Sequence, residues 1–467
     1  MVVSFILFLL LFVAIGVSSL FKSQGSKQDY YLASSSVSPW LVGLSAVATN
    51  NSGYMFIGVI GYTYLTGLAS IWLMVGWILG DFVASLFIHR NLRVATGRSG
   101  EVSYAGVLSS WQGSNFQTLQ RVIGAVSLIF LLAYASAQLV AGGKALHVLF
   151  SWPQWSGAVL GAVMVALYCF AGGIRASIWT DAAQSFVMLA AMALLLFIAV
   201  MHLGGPAQII YEWKQVDGFL NLFPNELLFP GLAGAIAFAI SWMVAGFSVI
   251  GQPHIMVRFM ALSDSRLMFM AKLSYYLWFS VFYGMATVVG MLARIYFSDT
   301  ASFDAELALP TMAVELLPGV LAGLVLAGIF AATMSTADSL VLSCSAAITH
   351  DLLPHKVEST WLVKLVTVGV VLLTLALALS NNESVFNMVI LAWSGLGSAF
   401  SPLLIFLCLG KQVREKDAVI SLVIGFSVSL MWRWLGLQQH VYEGLPAISL
   451  ALIYLSIATR FKNSDAL

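Results

Sequence analysis

The sequence predicts an all-α polytopic membrane protein with about thirteen transmembrane helices and a five-plus-five inverted-repeat core. Three observations carry this. The 467 residues are 60% hydrophobic and 9% charged, with a mean hydropathy of +0.94, where a soluble domain is roughly a quarter charged. Apolar runs of spanning length recur from one end to the other. Two of those runs, five spans apart, have polar centres that disfavour a continuous helix.

The spans are expected at 2–20, 39–66, 69–89, 120–150, 155–172, 180–203, 231–258, 272–296, 309–349, 361–380, 384–410, 416–434 and 441–459. Those longer than the ~20 residues of a straight crossing can tilt, break or extend beyond the bilayer. The first lacks a basic leading region and a small-residue cleavage site, so it reads as a retained span. With the N-terminus outside, seventeen Lys and Arg fall on the cytoplasmic side, Arg175, Arg258, Lys356 and Lys462 among them. Lys214, Arg294 and Arg433 fall outside, and Lys144 lies near an outer helix end. That asymmetry places the C-terminus in the cytoplasm. One transmembrane domain covers the chain: an extra N-terminal helix and loop (1–38), a first repeat (39–203), a second repeat (204–410) and two C-terminal helices (411–467).

Composition excludes several functions. No basic cluster or aromatic-basic platform points to nucleic acid. Cys169, Cys344 and Cys408 lie in apolar segments without paired spacing and read as small core residues. No Walker A or HExxH pattern and no soluble catalytic domain is visible, and the histidines form no metal-like pair within a span. His254, after Pro253, reads as structural. Nothing here is an enzyme, and transport would draw on an ion gradient.

The second span reads LSAVATNNSGYMFIG, with Thr49, Asn50, Asn51, Ser52 and Gly53 consecutive. The seventh reads AGFSVIGQPHIMVRF, with Ser248, Gly251, Gln252 and Pro253. Proline and glycine weaken those turns. Irregular backbone at membrane depth is tolerated where it lines a cavity or is buried in protein. Paired interruptions of this kind mark the site of an inverted-repeat transporter.

The stretch Ala327–Asp351 is apolar and helical in pattern, yet Ser335, Asp338 and Ser339 share one face, which Thr336 widens. A carboxylate with hydroxyls, free of Cys and His, suits a hard cation. The plainer alternative is that the hydroxyls bond back to helix carbonyls. Acids inside spans are costly and usually functional. Asp181 could bind an ion or cap the sixth span; Asp81 has no assignment. Tyr134 and Gln138, one turn apart, and Trp393, Ser394 and Ser398 could complete a pocket or simply pack.

At LSAVATNNSG (44–53), YASAQLVAGGK (134–144), AGGIRASIWTDAAQ (171–184), GQPHIMVRFMA (251–261) and AATMSTADS with SCSAAITHDL (331–352), the chain resembles the sodium/solute symporters. Within them it most nearly resembles the bacterial sodium/proline symporter group. The resemblance implies a LeuT-type fold and a main sodium site between the first and eighth core helices. That site would use carbonyls of Ala48, Asn51 and Ala332 with the hydroxyls of Ser335 and Thr336. A second sodium set, present in some members, would fall on Asp181, Ser335, Asp338 and Ser339. Solute would lie near Asn50, Ser52, Tyr134, Gln138, Ala245, Ser248, Val249 and Gln252.

Four positions depart from the proline-symporter pattern. Asn50 stands where those proteins have an acid tied to sodium use, and Ser35 where they have a basic residue. Ala245 and Val249 replace a Trp and a Tyr of the pocket, which implies a roomier cavity; the pocket tyrosine survives as Tyr134. Asp338 is the expected replacement for the lost acid. The resemblance implies sodium-coupled import, by alternating access across a bacterial inner membrane, of a small polar organic solute: an amino acid such as proline, or a related small carboxylate. One or two sodium ions would couple it, and no oligomer is required. The rivals are a proton symporter using Asp338 or Asp181 and a solute sensor; a sensor would carry an output domain, and this chain ends at Leu467.

Overall fold

The structure, a computed structural model, describes residues 1–22, 24–354, 357–380 and 384–464, with no side chains described at 149 and 461–464. Lys356 and the side chain of Lys462, both counted toward the cytoplasmic charge, lie outside that description. Among the described residues every regular element is a helix. In chain order these are α1 (Val2–Ser18), α2 (Lys27–Leu32), α3 (Pro39–Tyr54), α4 (Ile60–Thr66), α5 (Ile71–Ser99), α6 (Tyr104–Ser110), α7 (Gln117–Phe150), α8 (Gln154–His202) and α9 (Gly205–Gln215). There follow α10 (Gly231–Phe247), α11 (Pro253–Met260), α12 (Met268–Tyr296), α13 (Ala308–Leu316), α14 (Gly319–Ala346), α15 (Thr360–Ser380), α16 (Val385–Cys408), α17 (Glu415–Trp434) and α18 (Gly444–Ser464).

Ten continuous helical stretches among the described residues are long and apolar enough to cross a membrane. Two are far longer than one crossing. Pro39–Ser99 has 61 residues, about 90 Å if straight, against a hydrocarbon core of about 30 Å. Its turning point is Gly67, at φ 64°, where a Cβ would meet the Phe219 carbonyl oxygen at 2.3 Å. Gln154–His202 breaks in the same way at Gly173 (φ 56°, ψ −138°), against the Tyr30 carbonyl. Both positions need glycine for backbone conformation and for space.

Burial separates the centre from the periphery. In the most apolar window of α14, 83% of residues are buried, against 28% in α1. The helix carrying the Ser335–Ser339 stripe is therefore central, packed against α8, α7 and α3, and its small residues permit that approach. α3 also packs on α12, and α5 on α10. Large apolar side chains such as Phe21, Leu232 and Trp434 face outward, as expected of lipid-facing surface.

The break in α3 falls at Ser52 (φ 41°, ψ 179°), followed by a wide turn over Met55–Val59. The Gly53 amide released there is satisfied by Gln138 Oε1 at 2.9 Å. The second break separates α10 from α11, with Gln252 extended (φ −98°, ψ 99°) and Pro253 opening α11. Proline suits that first helical position, since its missing N–H is not needed there.

Candidate functional site

The first break faces the hydroxyl stripe. Ser335 Oγ donates to the Ala48 carbonyl at 3.2 Å and to Ala332 O at 3.1 Å, and Thr336 Oγ1 donates to Thr49 O at 2.9 Å. Thr49 Oγ1 answers from α3, 3.2 Å from Ser339 Oγ. Two carbonyls of α3 thus meet two hydroxyls and a carbonyl of α14 just before the chain leaves helical geometry. The set is all oxygen and carries no formal charge. Of the residues implied for the main sodium site, Ala48, Ala332 and Ser335 are in direct contact, and Thr336 is bonded to the next carbonyl along. The Asn51 carbonyl instead accepts the Met55 amide. Its side-chain Oδ1 is buried without a hydrogen-bond partner among the described residues.

Below this seam the residues of the second set converge on a side chain that sequence reasoning had counted as cytoplasmic. Arg258 is fully buried. Its guanidinium donates to Ser177 Oγ at 2.5 Å and to Ser339 Oγ, and lies 3.4 Å from Asp181 Oδ2 and 3.9 Å from Asp338 Oδ1. Ser45 Oγ donates to Asp181 at 2.6 Å and Ser177 Oγ to Asp338 at 2.9 Å. Helices α3, α8, α11 and α14 therefore meet on one buried cation between two carboxylates. The helix around Asp181 begins just after Gly173, so Asp181 lies well inside it and is not a cap. A signal for Arg258 existed. A basic residue at the end of a broken span, in a chain with two intramembrane acids, has a reason to be paired with them.

The solute-side residues divide. Tyr134 Oη donates to Ser52 Oγ at 3.3 Å, one turn from the Gln138–Gly53 contact. The His254 ring stands perpendicular to Tyr134 at 5.4 Å. Gln138 Nε2, Gln252 Oε1 and both His254 nitrogens are buried without hydrogen-bond partners among the described residues. Gln252 Nε2 donates to Trp393 O at 2.9 Å and to Ser248 O at 3.3 Å. Ala245 and Val249 are fully buried. The Trp393 indole reaches the Ala245 carbonyl at 2.7 Å, so part of the room expected beside Ala245 holds an indole from α16.

Asn50 turns away from this group. Its amide donates to Tyr275 Oη at 2.5 Å, which donates to Asp81 Oδ2 at 2.5 Å, while Tyr276 Oη donates to Asp81 Oδ1 at 2.9 Å. The acid connected to Asn50 is Asp81. At the edge of the fold Ala33, Ser34 and Ser35 all have left-handed φ (47°, 55° and 48°). Arg175 closes that bend by donating to Ala33 O at 3.0 Å and to Asp29 Oδ1 at 2.5 Å.

Two interrupted helices with polar groups at the interruptions, buried in an all-helical membrane bundle, define an ion-coupled secondary transporter. Residues 30–425 match the sodium:solute symporter family, and the chain belongs to it. It is a sodium-coupled symporter and not an enzyme. Sodium/proline symporters of Staphylococcus aureus strains JH9 and COL are each 29% identical to it, over 97% of this chain and 91% of theirs. Among solved structures, a substrate-bound, outward-open sodium-coupled sialic acid symporter superposes with a TM-score of 0.82 at 17% identity, over 98% of this chain and 97% of that one. A nucleobase-cation-symport-1 family transporter in a closed conformation with bromovinylhydantoin bound gives 0.59 at 13% identity, over 92% and 95%. These two likenesses concern the fold.

Proposed function

We propose that sodium binds at the Ala48–Ser335–Thr336 seam and drives import of a small polar organic solute held beside the Ser52 break. The observation that carries this is the direct meeting of α14 hydroxyls with α3 carbonyls at that break. Carbonyl and hydroxyl oxygens are the ligands a hard monovalent ion takes. Sodium drawn between them would order the backbone at Ser52 and favour the solute-binding conformation. Each sodium entering down a membrane potential supplies about 2.3 kcal/mol per 100 mV.

The solute would lie among Ser52, Tyr134, Gln138, Gln252 and His254, whose unpartnered buried atoms include donors and acceptors. Such a lining suits a compact solute with both kinds of group, such as an amino acid; the sodium/proline relatives support that class. The fold reading extends the same way. Counting one crossing on each side of Gly67 and of Gly173, and one for α18, gives thirteen spans, with repeats at 39–203 and 204–410, the N-terminus outside and the C-terminus inside.

In the second set, Arg258 leaves two carboxylates with one positive charge, room for one further cation. Asp181 Oδ1 and Asp338 Oδ2 are buried without hydrogen-bond partners among the described residues, which favours a second reading in which one of them carries a proton. Melting temperature of the purified protein in sodium against choline chloride, with proline and a panel of amino acids and small carboxylates, separates the cases. A sodium-specific rise that Ser335→Ala shifts to about tenfold higher sodium, and a further rise with one solute, is the expected outcome. Equal melting in the two salts across the pH range would overturn the sodium assignment in favour of the proton.

A further inference from the structure

Three carboxylates sit at the heart of the bundle: Asp81, Asp181 and Asp338, each at most 1% exposed. Asp181 and Asp338 share Arg258. Asp81 has no ion pair among the described residues, and its oxygens accept only the two phenols of Tyr275 and Tyr276. Two neutral hydroxyls solvate a carboxylate without neutralising it, and an unbalanced charge at that depth is costly. Such a carboxylate is relieved by a proton or by a cation that arrives during the transport cycle.

Hydrogen-bond direction shows where that cation would be. Asn50 donates to Tyr275, and Tyr275 donates to Asp81. Every dipole in this chain turns its positive end toward Asp81 on α5 and its negative end back toward α3, and chained hydrogen bonds polarise one another. With Nδ2 committed to Tyr275, the remaining polar atom of the Asn50 side chain is Oδ1, an acceptor. Asn50 lies between Thr49, whose carbonyl takes Thr336 Oγ1, and Asn51, whose Oδ1 lacks a partner. The Asp81 charge is thus tied by two hydrogen bonds to the segment of α3 that meets α14.

We propose that Asp81 is the counter-charge of the coupling sodium, acting through Tyr275 and Asn50 from one layer behind the site. Asp81 and Tyr275 are positioning residues: neither touches the ion. Tyr275 holds the Asn50 amide through Nδ2 and leaves Oδ1 as the acceptor outside that bond, and Asp81 supplies the negative charge that the all-neutral Ala48–Ser335–Thr336 oxygens lack. This rests on the sodium reading of that seam. Asp338, committed to Ser177, Ser339 and Arg258, serves the other centre.

The test is equilibrium binding of radiolabelled sodium to the purified full chain, with circular dichroism as a check on folding. Asp81→Asn and Tyr275→Phe should each weaken sodium binding about tenfold, the scale of one buried charge acting over a distance. Tyr276→Phe, which leaves the link to Asn50 intact, should weaken it less than threefold. Moving the acid forward, Asn50→Asp in the Asp81→Asn background, should return the affinity to within about threefold of the parent, which a merely structural role for Asp81 would not do. Unchanged affinity in Asp81→Asn, or loss that the relocated acid fails to restore in a folded protein, would overturn the proposal. Ser335→Ala distinguishes the two readings. If it weakens sodium binding while Asp81→Asn leaves it intact, only the counter-charge falls; if it has no effect while Asp81→Asn does, the seam is not the sodium site.

Discussion

Two buried acid centres abut α3, and they solve the same problem differently. Ser45 leads to Asp181, Asp338 and Arg258; Asn50, on a different face five residues later, leads through Tyr275 to Asp81. At the first centre a tethered guanidinium supplies most of the compensation and binds four helices together. At the second, phenols supply solvation and no charge. A charge balanced by the protein itself contributes to holding a conformation. A charge left for a mobile ion lets that ion change the conformation. The contrast teaches that an intramembrane acid must be read with its cation, not merely as an acid.

The largest expected effect comes from removing the tethered cation. Arg258→Met strands Asp181 and Asp338 and should destabilise the fold by about 3–5 kcal/mol, as breaking a buried pair does. A marked fall in the melting temperature checks this. Asp338→Asn in the same centre leaves one acid facing one Arg, so its melting temperature should stay close to the parent's. A loss as large as that of Arg258→Met would show that the two acids are not interchangeable partners of the cation.

Next comes the packing that carries Asp81. A Cβ on its neighbour Gly80 would lie 1.8 Å from the Met243 carbonyl oxygen of α10. Gly80→Ala should therefore cost about 1–3 kcal/mol by forcing α5 and α10 apart. It should also weaken sodium binding if Asp81 acts through position; a stable variant with normal sodium affinity would separate the centre from its scaffold. Ser335→Ala sharpens the comparison from the ion's side. Loss of one oxygen from the seam should raise the sodium concentration needed for half-maximal stabilisation by about tenfold, or about 1.4 kcal/mol, with little change in the salt-free melting temperature.

The smallest effect belongs to Asp29, outside the spans, which offers a third arrangement of acid and Arg. Burial alone would raise its carboxyl, but the bond from Arg175 and the Gln24 amide outweigh this and hold it below the usual 3.8. A carboxyl with a lowered native value stabilises the fold fully above the unfolded value and loses that contribution as pH falls through the native one. Asp29→Asn should cost about 1 kcal/mol near neutral pH. The difference from the parent should begin to shrink as pH falls below about 3.8 and vanish only once pH is below the lowered native value. A gap that persists there would mean that the contact works by shape rather than charge.

Much of the site was legible because it is written in local order. NNSG and GQP announce their breaks, since glycine, proline and short polar side chains weaken a helix wherever it lies. The i, i+3, i+4 spacing of Ser335, Asp338 and Ser339 puts three oxygens on one face before any packing is known. Tyr275 was not legible, and Arg258 only by weighing it against the two intramembrane acids. A single cation at the end of a span reads as surface charge, and one Tyr among many reads as packing. Asn50 was placed with the solute by resemblance, yet its amide follows Tyr275 on α12.

What the sequence determines alone is therefore whatever depends on near neighbours: an all-helical membrane chain, the positions of its interruptions, and an oxygen-rich stripe fit for a hard ion. What the tertiary structure decides is which acid meets which cation. Ser45 and Arg258, or Asn50, Tyr275 and Asp81, are brought together from distant segments by packing across α3. Spacing along one helix carries no information about the partner across a helix interface, and in a low-dielectric interior that partner sets the energy of every charge.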